Sequence, residues 1–343
     1  MSKAAICVVV PVYKAMATLD RCVESVLAQQ VEGGLTCILV DDGSPDESGA
    51  LCDAWAAKDD RVTVIHQDDL GVSGARNSGL AAADSEFIVF LDSDDALRPG
   101  ALQAALTAQR AAPQDFVVWH YTTDEKDPAA VTADAEPRTQ AGLARLWLDC
   151  LLAMPWNKLY RADLAKQLQF DVQYTLGEDL QFVLDYIALL GQTVPEFGYR
   201  VMTSPLTFYD CSRGGTLSTR YHANYCDIWP KHFAKLNAAC HAAACPAEDM
   251  RPLHRAELQV FAEGVADIMR RDPSPTQRLK GYKAEAALRS PWLRALLERM
   301  KIEHCYSAYY LPCRWHNVGL VCRVDEARRA NAPLYGKLDW AGY

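Results

Sequence analysis

Four short apolar runs in the first third of the chain, each closed by polar or turn-forming residues and separated by amphipathic stretches, limit most strongly what this sequence can fold into. Residues 5–10 (Ala-Ile-Cys-Val-Val-Val) are apolar at every position, as a strand buried on both faces must be, and Pro11 stops the run. Leu19, Cys22, Val23, Val26 and Leu27 then recur at helical spacing, so 19–29 reads as a helix with Thr18 suited to its N-cap. The same logic predicts strands at 36–40, 62–65 and 87–91. It predicts helices at 47–58 and 99–111, with Pro99 in the first turn of the latter. Residues 71–83 read as a glycine-punctuated loop leading into a helix. Strands alternating with helices imply an α/β fold around a largely parallel sheet.

Ligands of open α/β sheets bind beyond the carboxyl ends of the strands. Three of the four runs end in chemically capable residues: Pro11-Val12-Tyr13, Asp41-Asp42 and Asp92-Ser93-Asp94. Two acids one residue apart at a strand end suit a divalent cation shared with phosphate oxygens. The competing reading of Asp92-Ser93-Asp94-Asp95 is a set of helix caps ahead of Pro99. An acid at 41 or 42 can accept from a nucleobase N–H or meet a ribose, although D-D-G-S-P-D is also a turn in its own right. Tyr13 offers a ring for base stacking, against the plainer reading of a surface tyrosine. Residues 71–79 fit neither a dinucleotide fingerprint nor a P-loop, and Arg76 within them can pair with phosphate. Glu178-Asp179 opens an apolar helical run. The pair reads either as favourable acids in a first turn or as a carboxylate base for an acceptor hydroxyl. Trp156-Asn157-Lys158, and Tyr209 with Arg213, Thr216 and Ser218, are groups of the kind that grip sugars or phosphates, unless they only pack a loop.

Taken in order, these segments resemble the family 2 glycosyltransferases with the GT-A fold. The resemblance rests on residues 9–13, 25–29, 40–44, 71–79 and 90–95. Residues 156–161 and 177–180 are similar to a bacterial subgroup that builds capsule, exopolysaccharide or lipopolysaccharide. It covers about 4–220 and implies a Rossmann-like, mostly parallel central sheet with flanking helices. The resemblance further implies a nucleotide-sugar donor, a UDP-sugar above all, with Mn²⁺ or Mg²⁺ as cofactor and a glycan or lipid-linked acceptor. Pro11 and Tyr13 would flank the base, and Asp41 or Asp42 would bond the uracil. Gly74, Arg76 and Ser93 would line the donor site, with Trp156 and Lys158 further contacts. Asp92 would meet ribose or metal, and Asp94 the metal. Asp179 would be the base of an inverting transfer, with Glu178 as its neighbour.

Length and composition set the remaining expectations. A chain of 343 residues suits an α/β catalytic domain over 1–220 and a mainly helical region over 221–343, broken at prolines 246, 252, 273, 275 and 291. Residues 124–140, rich in Asp, Pro and Ala, read as a solvated loop or hairpin. A net charge of -9 argues against nucleic-acid binding. Nothing resembling a leader precedes the first strand, and the twelve scattered cysteines read as small buried hydrophobes without zinc spacing. No apolar run reaches the roughly 18 residues of a membrane span, so the expected location is cytoplasmic. Residues 276–304 hold seven Lys/Arg against three Glu. With Trp292, Leu293, Leu296, Leu297 and Met300 they suit either peripheral contact with the inner face of an anionic membrane or a helix packed on the catalytic domain with a solvated basic face. Two other functions stay open on the sequence: a non-catalytic nucleotide-sugar-binding relative and a sugar-nucleotide pyrophosphorylase.

Overall fold

In the computed structural model, residues 3–174, 176–211 and 220–331 are described. The apolar runs form β1 (Ala4–Val12), β2 (Leu35–Asp42), β3 (Val62–Gln67) and β4 (Ser85–Phe90). Between them lie α1 (Leu19–Leu27), α2 (Ser48–Lys58) and α3 (Gly71–Ala82). After β4 come β5 (Ala96–Leu97), α4 (Ala101–Ala111), β6 (Phe116–Thr122), β7 (Ala135–Thr139) and α5 (Leu143–Leu148). They are followed by β8 (Lys158–Arg161), α6 (Ala162–Ala165), α7 (Glu178–Thr193) and β9 (Gly198–Phe208). Then come the helices α8 (Tyr225–Ala242), α9 (Ala247–Arg271), α10 (Gln277–Leu288), α11 (Pro291–Ile302), α12 (Tyr310–Arg314) and α13 (Val318–Asn331).

The described residues form two units, and α5 groups with the helices that follow residue 220 rather than with the sheet. In the first unit the strand order is β3-β2-β1-β4-β8-β6-β9-β5, with β7 added on β9. The first four strands are mutually parallel, and β8 enters antiparallel to β4. This is a Rossmann-like half sheet extended by a mixed half, flanked by helices, which is the α/β architecture the sequence pattern implies. Parallel register matters for function here. Val12 lies opposite Asp41, Val9 opposite Phe90, and Leu91 N bonds Val9 O at 3.0 Å. The carboxyl ends of β1, β2 and β4 therefore open on one edge.

Three local expectations are corrected. Residues 71–82 are all helical, not a loop followed by a helix. The glycines serve packing: a Cβ on Gly79 would collide with Val9 Cγ1 and sit 3.3 Å from Val40 Cγ2, so its absence lets α3 lie directly on β1 and β2. Pro99 lies ahead of α4, which starts at Ala101 behind Gly100 in a left-handed conformation (φ 79°). Pro252 does not end a helix but lies inside α9.

The second unit is all helix among its described residues. Its core takes Leu293, Leu296, Leu297 and Met300 of α11, with Trp292 packed against them. Of the two readings of this apolar stripe, packing against the protein is the one seen, here within the helical core, and the basic side chains stay outside. Leu279 and Tyr282 of α10 remain exposed at 46% and 55%. No described helix is long and apolar enough to cross a membrane.

Replacing Gly79 with valine forces a branched side chain into the α3–β1 contact. We expect a loss of about 2 kcal/mol or more, seen as a lower melting temperature. An unchanged melt would mean that α3 does not rest on β1 this closely.

Candidate active site

The edge formed by the ends of β1, β2 and β4 carries the expected residues, and their side chains are held from below by a network. At the end of β2, Asp41 and Asp42 are both buried, with 7% and 3% of their surface exposed. Asp41 Oδ1 accepts from Ser44 N (3.2 Å), and its Oδ2 faces His66 Nδ1 (3.0 Å). Burial works against the Asp41 charge, but the hydrogen bonds from Ser44 and His66 outweigh it and hold its carboxyl below the usual range. His66 Nε2 reaches Asp53 at 3.0 Å, and its two carboxylate partners, Asp53 first, raise the imidazole above its ordinary value. Asp42 Oδ1 accepts from Gln67 Nε2 (2.7 Å) and Leu70 N (2.9 Å). Both acids are held by neighbouring protein groups. Pro11 is buried as the penultimate residue of β1, and Tyr13, 44% exposed, stands beyond the strand with Lys14 Nζ 4.9 Å from its ring centre.

Arg76 is the centre of the arrangement. It projects from α3, is only 3% exposed, and bonds Asp179 Oδ1 at 2.6 Å and Asp92 Oδ1 at 2.8 Å. Phe170 lies 5.4 Å below its guanidinium. Gly74, two residues earlier in the first turn of α3, packs against Leu70 where a Cβ would clash. Arg76 thus bridges the end of β4 and the start of α7. Asp179 sits in the first turn of α7, behind Gly177 in a left-handed conformation, with Glu178 beside it. Burial pushes the Asp179 carboxyl up to about 7 against the pull of Arg76, with Glu178 and Asp92 adding to the rise.

On the other side of Asp92 lies an acidic nest. Asp95 is fully buried; its Oδ1 accepts from Asp210 N (2.9 Å), and its Oδ2 has no hydrogen-bond partner among the described residues. Burial, then the charges of Asp92, Asp94 and Asp210, push it up to about 9. Arg21 of α1 answers part of this charge, donating to the Asp94 carbonyl and to Asp210 Oδ2, each at 2.6 Å. Acids crowded at one strand end suit a divalent cation, whose preferred donors are hard oxygens. Asp92 and Asp94 are the pair that open onto the edge. Ser93 lies between them, half-buried.

The downstream segment is more structural than its composition suggested. Lys158 is fully buried, and its ammonium donates to Leu151 O (2.7 Å), Met154 O (2.5 Å) and Asn157 Oδ1 (2.6 Å). All three donors are committed, so its expected ligand contact has no donor left; burial lowers its pKa well below the ordinary lysine value. Trp156 is 3% exposed, stacked on Tyr209 at 5.3 Å and edge-on to Tyr121 at 5.2 Å. Its ring is covered, leaving the half-buried Tyr209 and Tyr121 as the outer aromatics. Arg213, Thr216 and Ser218 lie outside the described residues. The sequence reading missed Arg21, His66, Phe170 and Asp210, none of which stands in a motif; an arginine one position off the apolar stripe of α1 was the one available signal.

A Rossmann-like half sheet extended by a mixed half and flanked by helices is the architecture of the GT-A fold. Residues 7–169 match the family model for glycosyl transferase family 2. It is similar to the glycosyltransferase GlyG of Streptococcus pneumoniae serotype 4, 39% identical over 124 residues that cover 36% of this chain and 41% of GlyG. The chain spans about half the length of the curated relatives it matches. Among solved structures it is similar in fold to residues 1–349 of S. aureus TarS in complex with UDP-GlcNAc. That match has a TM-score of 0.63 and 16% identity, covering 96% of this chain and 93% of that one. It is also similar in fold to the mannosyltransferase PcManGT from Pyrobaculum calidifontis in complex with GDP-Man and Mn²⁺. Here the TM-score is 0.51 at 17% identity, covering 95% and 87%.

Replacing Arg76 with methionine leaves two crowded carboxylates without their cation. We expect a destabilisation on the order of 3 kcal/mol in chemical denaturation, partly restored by adding Asp179→Asn. Equal stability of wild type and Arg76→Met would remove the bridge from this account.

Proposed function

We propose that the chain is an inverting glycosyltransferase. It moves a hexose-type sugar from a UDP-sugar to a hydroxyl of a glycan or lipid-linked acceptor, in cell-surface polysaccharide synthesis. The observation that carries this reading is a single guanidinium, Arg76, joining the acid at the end of β4 to a carboxylate poised near neutral pH. The similarity to TarS, whose structure holds UDP-GlcNAc, supports the donor class.

Tyr13 would stack on the base, and Asp41 or Asp42 would take its N–H. Pro11 and Gly74 would shape the pocket, with Ser93 against the donor. Asp92 and Asp94 would hold Mn²⁺ or Mg²⁺, which supplies neutralisation of the charge that grows on the departing diphosphate. Arg76 keeps Asp179 Oδ1 occupied and leaves Oδ2 to take the acceptor proton. As the acceptor oxygen bonds the anomeric carbon, the bond from sugar to phosphate breaks and the configuration inverts in one displacement. Burial, with the charge of Glu178 adding to it, keeps the Asp179 pKa high, where a base works best near neutral pH.

Asp179→Asn should lower transfer by about 10² or more while leaving UDP affinity within a few-fold; equal losses in both would displace Asp179 as the base. The base must be unprotonated, so activity should fall as pH drops through about 7 and be roughly tenfold below plateau one unit lower. A flat profile from pH 5 to 8 would contradict that role. Peripheral membrane contact belongs to the same reading, through the Lys and Arg of 276–304 with exposed Leu279 and Tyr282. The protein should sediment with anionic liposomes at low salt and be released by high salt; no binding at low salt would sink that part.

A further inference from the structure

The end of α8 places two cysteines against each other. Ala244 adopts a left-handed conformation (φ 53°), and the chain folds back so that Cys245 N bonds Cys240 O at 3.0 Å and Ala244 N bonds His241 O at 3.1 Å. This pair of hydrogen bonds is the Schellman closure, in which the side chains at the two outer positions meet, commonly as an apolar contact. Here both are thiols. Cys240 is buried, Cys245 is half-buried, and their thiols are hydrogen-bond partners. Backbone N–H groups of Leu143 and Ala144, at the start of α5, also point at the Cys245 sulfur. Alanine in place of glycine at the left-handed position shows that the turn is held by its surroundings.

We propose that Cys240 and Cys245 form a redox modification site, a dithiol that closes to a disulfide when it meets a hydroperoxide. The Cys245 sulfur is the more exposed of the two and faces the N–H groups of Leu143 and Ala144, so it is the attacking group; the neighbouring Cys240 thiol, aided by those N–H groups, holds its pKa below the ordinary thiol value. Thiolate attack breaks the O–O bond: Cys245 becomes a sulfenic acid, and the leaving oxygen takes a proton as water or an alcohol. Cys240 sulfur then attacks Cys245 sulfur, the S–O bond breaks, and water leaves with the Cys240 proton. Two thiols lose two electrons and one hydroperoxide gains them. Elsewhere burial raises the thiols instead, Cys7 to about 11 and Cys52, Cys226 and Cys313 to about 12. Closure would also remove the negative acceptor that the first N–H groups of α5 now share.

The test treats the reduced full chain with equimolar hydrogen peroxide, blocks free thiols under native conditions, and maps peptides by mass spectrometry. A Cys240–Cys245 linked peptide is expected ahead of any other oxidised cysteine. Without peroxide, iodoacetamide at neutral pH should label Cys245 roughly tenfold faster than Cys226. In Cys240→Ser the disulfide is lost and a dimedone adduct of the sulfenic acid appears on Cys245; in Cys245→Ser, Cys240 stays reduced. The proposal is overturned if both residues remain thiols in the treated wild type, or if Cys245 is labelled no faster than Cys226. Because the wild-type map stands alone, failure of either variant to fold does not protect the idea.

Discussion

Arg76 keeps its charge inside the protein because Asp92 and Asp179 meet it from two sides at 2.8 and 2.6 Å. A buried guanidinium without such partners would be very costly, and so would two crowded carboxylates without the guanidinium. The three therefore specify one another's positions. Since Asp92 ends β4 and Asp179 begins α7, the ion pairs also fix the first turn of a helix against the edge of a sheet. The groups proposed for the leaving-group side and the acceptor side of the reaction are connected through a single side chain. That bridge also sets the chemistry: burial pushes Asp179 upward while Arg76 pulls it down, and the balance near 7 suits a base.

Placement of Arg76 depends in turn on how closely α3 approaches the sheet. Gly79 gives the helix contact with Val9 and Val40, and Gly74 lets its first turn close on Leu70. With the helix seated there, Asn77 exchanges two hydrogen bonds with the backbone of Phe170, each at 2.8 Å. That exchange brings the Phe170 ring beneath the guanidinium. Packing, backbone pairing and electrostatics at the site thus have one origin, the small residues of a segment that looks like a flexible loop in composition.

The strands and the acids at their ends were legible because burial on both faces and strand termination leave direct marks on sequence. Asp41, Asp42, Asp92 and Asp94 all stand where the parallel order gathers them. What was not legible depends on contacts distant in the chain. Arg76 and Asp179 are 103 residues apart and show no shared pattern. Lys158 looked like a sugar contact, but three oxygens nearby in sequence claim its ammonium in a fully buried position. The apolar stripe at 292–300 suited a membrane and a protein core equally, since hydrophobic spacing records burial without recording what does the burying. Asp95 appeared as one more acid in a run, whereas in the fold it is the buried member, held neutral beside two that open onto the edge.

The central claim is that the acids ending β4 hold a cation that the donor's diphosphate needs. It is tested most directly by release of UDP from a UDP-sugar, measured with Mn²⁺, with Mg²⁺ and with chelator, for the wild type and for Asp94→Asn. The account predicts metal-dependent release by the wild type with at least one common donor, abolished by chelator and reduced by about 10² or more in the variant. Release that ignores the chelator, or that survives Asp94→Asn unchanged, would contradict it.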